Sequence, residues 1–258
     1  MIQAQEWSEA DLVRRVCLAL DIAAQTIQGM PADGYADPGD PSRNVRPEKV
    51  VGETGLLLLA AAHAASRSEV RERIALVAQL LLPHARADGV RARVCLEPSL
   101  ALEHALGHIC LSQLGFPDLD LDRLLSESLQ ADCAKGSERL PHRQLEQEWL
   151  MRVWDATPHG AQVDARLPRR SALGRPADLL STRKDQAYAF THALMYLTDL
   201  GSRRVRLPRP QSTITAEADA ALAASLDEPD YDLSGEILLT WPYTPVAGAR
   251  RQLWVSRF

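Results

Sequence analysis

Aromatic residues make up only 5% of this 258-residue chain, and lysine supplies three of its 29 basic residues (Lys49, Lys135 and Lys184). Valine and isoleucine are sparse and scattered, so no series of strands can be laid out. That excludes an all-β sandwich or barrel. The shortage of lysine is the mark of a GC-rich genome and carries no chemical message. The four cysteines (Cys17, Cys95, Cys110, Cys133) lie far apart with no CxxC pair. Each sits among apolar neighbours, which reads as buried free thiols in a reducing compartment. The opening MIQAQEWSEADLVRRV lacks the charged-then-apolar order of a signal peptide. The longest apolar run, LLLLAAAHAA, is too short to span a bilayer. A cytoplasmic protein without membrane contact is the expectation. A net charge of −5 argues against nucleic acid as a partner.

What is present is alanine and leucine, the residues that favour helices, in a chain 46% hydrophobic and 24% charged. The pattern predicts a first helix from an N-cap at Ser8, with Asp11 at N3, to about Gln28, where Gly29 and Pro31 stop it. A second starts near Pro47, and a third runs from about Ser66 to His84. After a turn at DGVRARV, a fourth opened by Pro98 and Ser99 holds SLALEHALGHICLSQLG. DLDLDRLLSESLQADC begins a fifth, and HRQLEQEWLMRVWDA after Pro141 a sixth. DQAYAFTHALMYLTDLG is a further helix ending at Gly201, followed by TAEADAALAASL and YDLSGEILLTWPY. Residues 31–46 and 156–182 are loop-rich. The fold class expected is all-α, a single helical-repeat domain over 1–258.

A spacing supports the repeat. His104 and His192 are 88 residues apart, and Glu148 and Glu236 fall 44 beyond each of them. All four are followed two places later by leucine: Leu106, Leu150, Leu194 and Leu238. Glu53 in GETGLLL shares the local setting at a longer offset. The unit this predicts is a helical hairpin of about 44 residues, with a charged outer helix and an apolar inner one. About five such hairpins form a curved repeat or an incomplete α/α toroid. Its open side would be filled by the tail RQLWVSRF, by loops, or by a partner chain, which makes an oligomer the expectation.

In a curved array Glu53, His104, Glu148, His192 and Glu236 would face one central cavity. His104, His192, Glu148 and Glu236 match the ligand sets of zinc, manganese or non-haem iron, so a divalent metal is one expectation. The same residues serve acid–base chemistry without it: a histidine between carboxylates acts as general base, and a neighbouring glutamic acid as acid. One turn on, His108 and Tyr196 share the faces of His104 and His192. Tyr196 would donate to a developing anion, and Asp199 lies a turn beyond it. A third reading is structural: polar groups on inner helices bond to neighbouring helix ends and fix the packing.

The connector SRRVRLPRPQ gathers Arg203, Arg204, Arg206 and Arg209 beside the expected cavity mouth. These suit an anionic substrate group, although a solvated loop explains them more simply. His63 ends an alanine run and would reach the cavity. His84, His142 and His159 flank prolines in turns and read as solvated. The acids of DLDLD read as a helix start, where they meet the dipole favourably. No P-loop, GxGxxG or GxSxG occurs, so nucleotide and serine-hydrolase readings have no support.

AYAFTHALMYLTDLG, together with SGEILLTW, resembles all-helical actinobacterial proteins encoded beside natural-product genes. That resemblance implies a biosynthetic role and brings no catalytic residues with it. The architecture is also similar to the α/α toroids of terpene and lanthionine cyclases. The zinc-binding Cys and His motifs of the latter are absent here, as are DDxxD and DxDD, so only fold analogy is left. The expectation is a tailoring enzyme that cyclises, eliminates or oxidises a small molecule. The rival is a non-catalytic helical-repeat protein that binds a partner or stabilises a homologous subunit.

Overall fold

Ser8 opens the first helix, α1 (Glu9–Gln28), by a reciprocal cap. Its hydroxyl accepts the Asp11 N–H at 3.2 Å, and the Asp11 carboxylate accepts the Ser8 N–H at 3.3 Å. The computed structural model describes residues 8–30, 47–155, 164, 166–178, 183–200, 203, 205–227 and 230–240. Within them follow α2 (Pro47–Ala62), α3 (Ser68–Ala85), α4 (Asp88–Leu96), α5 (Ala101–His104), α6 (Leu106–Gln113) and α7 (Leu119–Gln130). Then come α8 (Pro141–Asp155), α9 (Leu167–Arg170), α10 (Lys184–Leu197), α11 (Gln211–Asp227) and α12 (Tyr231–Thr240). Short 3-10 turns occupy Pro98–Leu100, Asp132–Lys135 and Ala172–Gly174. No strand occurs among the described residues, and the chain is all-α.

Contacts group these helices into two compact units. The N-terminal unit comprises Trp7–Glu138 and Leu150–Thr157, and the C-terminal unit includes Arg139–Trp149 and Pro158–Phe258. In the N-terminal unit α1 rests on α3, while α2 packs on both α3 and α6. Leu20, Ile27, Leu58, Val70, Leu81 and Leu111 form its core, each at most 1% exposed. Removing each of these from water stabilises the unit by about 1.5–3 kcal/mol. Glycine sets how closely α2 and α6 cross. A Cβ on Gly107 would lie 2.7 Å from Val51 Cγ1, and one on Gly55 would lie 3.0 Å from Cys110 Cβ.

Four details depart from the pattern read in the sequence. DGVRARV is not a turn but the body of α4, because Val90 and Val94, one turn apart, are both buried and Asp88 suits the helix start. The stretch after Pro98 is not one helix. It breaks at Ala105 (φ −86°, ψ 4°), so that α5 can pack on α4 while α6 packs on α2 and α3. His84 is buried, since Pro83 lies inside the last turn of α3 rather than beyond it. Cys17 and Cys110 are buried free thiols as expected, but Cys95 and Cys133 are exposed. Burial pushes the Cys110 thiol up to about 12, which keeps it protonated and inert.

The DLDLD run does begin a helix. Asp118 caps α7 by accepting the Leu121 N–H at 3.0 Å. Burial alone would raise its pKa, but that N–H and the Arg91 guanidinium at 2.7 Å outweigh it and hold the carboxyl low.

In the C-terminal unit α12 packs on α10 and α11. Asp230 caps α12, accepting the Leu233 N–H at 3.2 Å. The positions spaced by 44 lie in unlike settings. His104 ends a four-residue helix, Glu148 is in the middle of α8, His192 is inside α10, and Glu236 is in α12. The tail RQLWVSRF lies outside the described residues.

Candidate active site

Three helical stripes of the C-terminal unit meet side by side. On α8 the stripe is His142, Glu146 and Trp149; on α10 it is Tyr188, His192 and Tyr196; on α12 it is Asp232 and Glu236. Each set repeats at three or four residues, the spacing that aligns side chains along one helix face. The sequence therefore places eight polar and aromatic side chains on three helix surfaces.

They form three layers. In the first, the Tyr188 hydroxyl donates to Asp232 Oδ2 at 2.9 Å. Asp230, beside it, holds Lys184 at 2.8 Å. In the second, His192 Nε2 lies 3.3 Å from Glu236 Oε2, and each side chain is 21% exposed. The same Glu236 oxygen accepts the Thr191 hydroxyl at 2.8 Å. The His142 ring lies 6.4 Å from the His192 ring, and those of Tyr188 and Tyr196 are both 5.9 Å from it. In the third, the Tyr196 hydroxyl donates to Glu146 Oε1 at 2.9 Å, while Arg143 donates to Glu146 Oε2 at 2.6 Å. Trp149 packs on Tyr196 with ring centroids 5.5 Å apart and donates its indole N–H to Asp199 Oδ1 at 2.7 Å.

Burial sets the protonation states. It lowers the pKa of His142, assisted by the nearby Arg143 and His192, so His142 is neutral at neutral pH. It raises the phenol of Tyr196 well above its ordinary range, and the Glu146 charge adds to that. Tyr188 is raised in the same way by burial and then by Asp232. Both phenols therefore stay protonated as donors. The chemistry available is a neutral imidazole, a second imidazole oriented by a carboxylate, and two fixed hydroxyl donors.

Of the residues singled out from sequence, His192, Glu236, Tyr196 and Asp199 come together here. Glu148 belongs to the same unit, but Glu146, two residues earlier, is the carboxylate that meets Tyr196. Two residues are about 200° of helix, so Glu148 faces away from that stripe. Glu53 and His104 belong to the N-terminal unit. The Glu53 side chain is 59% exposed and pairs with Lys49 at 3.4 Å. His104 Nε2 is held by Glu97 at 2.8 Å. The metal set expected of His104, His192, Glu148 and Glu236 is not assembled: among the described residues no three His, Cys, Asp or Glu side chains are gathered to hold a metal ion.

His108 is wholly buried in the N-terminal unit. Its Nε2 lies 3.0 Å from Asp122 Oδ1, which also accepts the Trp154 indole N–H at 3.1 Å. Burial lowers its pKa against the opposing pull of Asp122. His63 is exposed, with Nδ1 3.3 Å from the Ala60 carbonyl. Arg203 donates to the Leu197 carbonyl at 3.2 Å, satisfying the end of α10. Arg206 is exposed. Arg209 is committed to a buried pair with Glu217 at 2.5 Å. Arg204 and His159 lie outside the described residues. An open cleft of about 500 Å³ between α1 and α3 is lined by Glu9, Arg14, Cys17, Arg67 and Arg73. Arg67 pairs with Glu9 and Arg73 with Asp21, so this cleft offers no imidazole and no unopposed guanidinium from those two.

The sequence reading missed Glu146, His142, Trp149, Tyr188 and Thr191. For all but Thr191 the signal is the helical spacing of the α8 and α10 stripes, which a 44-residue register does not contain.

Residues 19–256 match the family model described as Domain of unknown function (DUF6895), and the chain belongs to that family. No curated protein and no solved structure matches it.

Proposed function

We propose that this DUF6895 chain is an enzyme that moves protons on a small organic substrate, with His192 as the base, Glu236 orienting it and His142 relaying the proton. The observation that carries this is the His192–Glu236 pair, 3.3 Å apart and partly open on both sides. A proton on Nε2 directed at Glu236 leaves Nδ1 as the accepting nitrogen, and the carboxylate stabilises the imidazolium that forms. Neutral His142 stands next to it. Proton abstraction serves elimination or cyclisation, and the substrate class that fits the resemblance is a natural-product intermediate. The donor set supports acid–base chemistry over metal-assisted chemistry, because His192 and Glu236 gather no third ligand among the described residues.

A second reading is favoured by the way the polar atoms satisfy one another. Tyr196 with Glu146, Trp149 with Asp199, and Thr191 with Glu236 form a network of the kind that fixes helix packing in a non-catalytic helical module. The two readings separate in heavy water. The purified protein is incubated with a small-molecule extract in D₂O, and the pool is compared by mass spectrometry with that treated by His192→Ala. Proton transfer predicts deuterated or converted species that depend on wild-type protein and vanish with the folded variant. Identical pools from both proteins reject catalysis and leave the packing role.

A further inference from the structure

The turn after α10 is built on two residues with left-handed backbone, Asp199 (φ 54°) and Leu200 (φ 50°). The Leu200 N–H closes onto the Met195 carbonyl at 2.8 Å, the six-to-one bond of a glycine-terminated helix. Glycine is the residue this first left-handed position favours, and Gly201 stands only two places later in the sequence. The chain instead puts aspartate there. Its carboxylate does what glycine cannot: it accepts the Trp149 indole N–H at 2.7 Å. Trp149 is 2% exposed and lies against Tyr196, whose hydroxyl reaches Glu146.

We propose that Asp199 is a positioning residue: its carboxylate holds Trp149, and the Trp149 ring sets Tyr196 so that its hydroxyl is aimed at Glu146. Strained backbone at a site points to a constraint beyond the turn itself. The carboxylate-to-indole bond identifies that constraint. The inference rests on reading the α8–α10–α12 cluster as the functional site. Its readouts need no turnover, so its failure is distinguishable from failure of His192 as a base.

Glycine at position 199 separates the two roles, because it relaxes the turn while removing the carboxylate. In full-length Asp199→Gly, exchange of the Trp149 indole proton, followed by NMR, should speed up at least tenfold. The Tyr196 hydroxyl proton, protected in the wild-type protein by Glu146, should exchange at least tenfold faster as well. Asp199→Asn, which keeps an acceptor oxygen, should restore both rates to within about twofold. Trp149→Phe keeps every residue of the turn and removes only the indole partner of Asp199, and it should free the Tyr196 hydroxyl in the same way. This variant keeps the test decisive if Asp199→Gly does not fold. A Tyr196 hydroxyl that exchanges at the wild-type rate in Asp199→Gly or in Trp149→Phe would overturn the proposal and leave Asp199 as a helix stop.

Discussion

Tyr196 of α10 and Glu146 of α8, both buried residues, share a hydrogen bond of 2.9 Å. A buried carboxylate is tolerated only when its oxygens are occupied, and here Arg143 takes the other one. Tyr196→Phe keeps the ring and strips one oxygen of its donor. The expected loss is about 1–3 kcal/mol, the cost of leaving a buried acceptor bare. Urea unfolding of the two proteins measures it, and an unchanged midpoint at equal slope would mean that the bond adds nothing net.

His142 should titrate below the ordinary histidine value of 6.5. Burial is the first cause and the Arg143 charge the second, so the two can be separated. In Arg143→Gln the His142 midpoint should rise but stay under 6.5, since burial persists. Proton-detected NMR titration of the ring resonances reads this directly. A midpoint at 6.5 or above in the wild-type protein would show the imidazole to be hydrated and the relay role misplaced.

Global stability should fall on mild acidification. His84, His108 and His142 all have pKa values lowered by burial. The unfolded chain takes up their protons near pH 6.5 and the folded chain only at lower pH. Their contribution is therefore complete above about pH 6.5 and is lost as pH drops through that value towards the folded pKa values. Thermal midpoints measured from pH 8 to 5 should decline, and His108→Asn should flatten that slope. A flat profile in the wild-type protein would contradict the burial of these imidazoles.

The helices were legible where local chemistry alone decides them. Ser8 with Asp11, Pro47, Asp118 and Pro141 each set a helix start that the structure reproduces. The site was legible in part. His192, Glu236, Tyr196 and Asp199 do converge, but the reason is helical adjacency on α10 and α12 rather than a 44-residue register. The 44-residue register selects Glu148, about 200° round α8 from Glu146, and so does not point to the carboxylate that meets Tyr196. The prolines beside His84 and His142 suggest solvated side chains, yet His84 is buried and His142 partly so. Proline marks the chain's direction but not the side chain's burial, which depends on residues distant in sequence.

The crossing of α2 and α6 makes Gly107 a test of packing. Alanine there would place its Cβ 2.7 Å from Val51 Cγ1 and 3.1 Å from Ala85 Cβ. The better helix propensity of alanine returns up to about 1 kcal/mol. Overpacking costs about 1–3 kcal/mol, so Gly107→Ala should be net destabilising. Adding Val51→Ala removes the clashing methyl groups and should recover part of the loss. Non-additivity between the two changes, measured in a double-mutant cycle, is the specific signature.

The Arg209–Glu217 pair is the sharpest electrostatic test in the C-terminal unit. Its side chains are 13% and 7% exposed, and it ties α11 to the chain before α10. Arg209 Nε donates to the Leu173 carbonyl at 2.7 Å, and Glu217 Oε1 accepts the Ala177 N–H at 3.2 Å. Burial would raise the Glu217 pKa, but Arg209 and the Ala177 N–H outweigh it and lower the value. Arg209→Met then strands a buried carboxylate, and the expected loss is about 3–5 kcal/mol. Replacing both partners, in Arg209→Met with Glu217→Leu, removes the stranded charge but leaves the Leu173 carbonyl and Ala177 N–H without these two partners. The double variant should therefore fall between the single variant and the wild type. The sign with pH follows from the lowered carboxyl: the pair's contribution is present above the ordinary value of 4.5 and lost as pH falls below it. Arg209→Met should thus lose less stability at pH 3.5 than at pH 7, relative to wild type. A penalty that is the same at both values would show that the pair acts by packing rather than by charge.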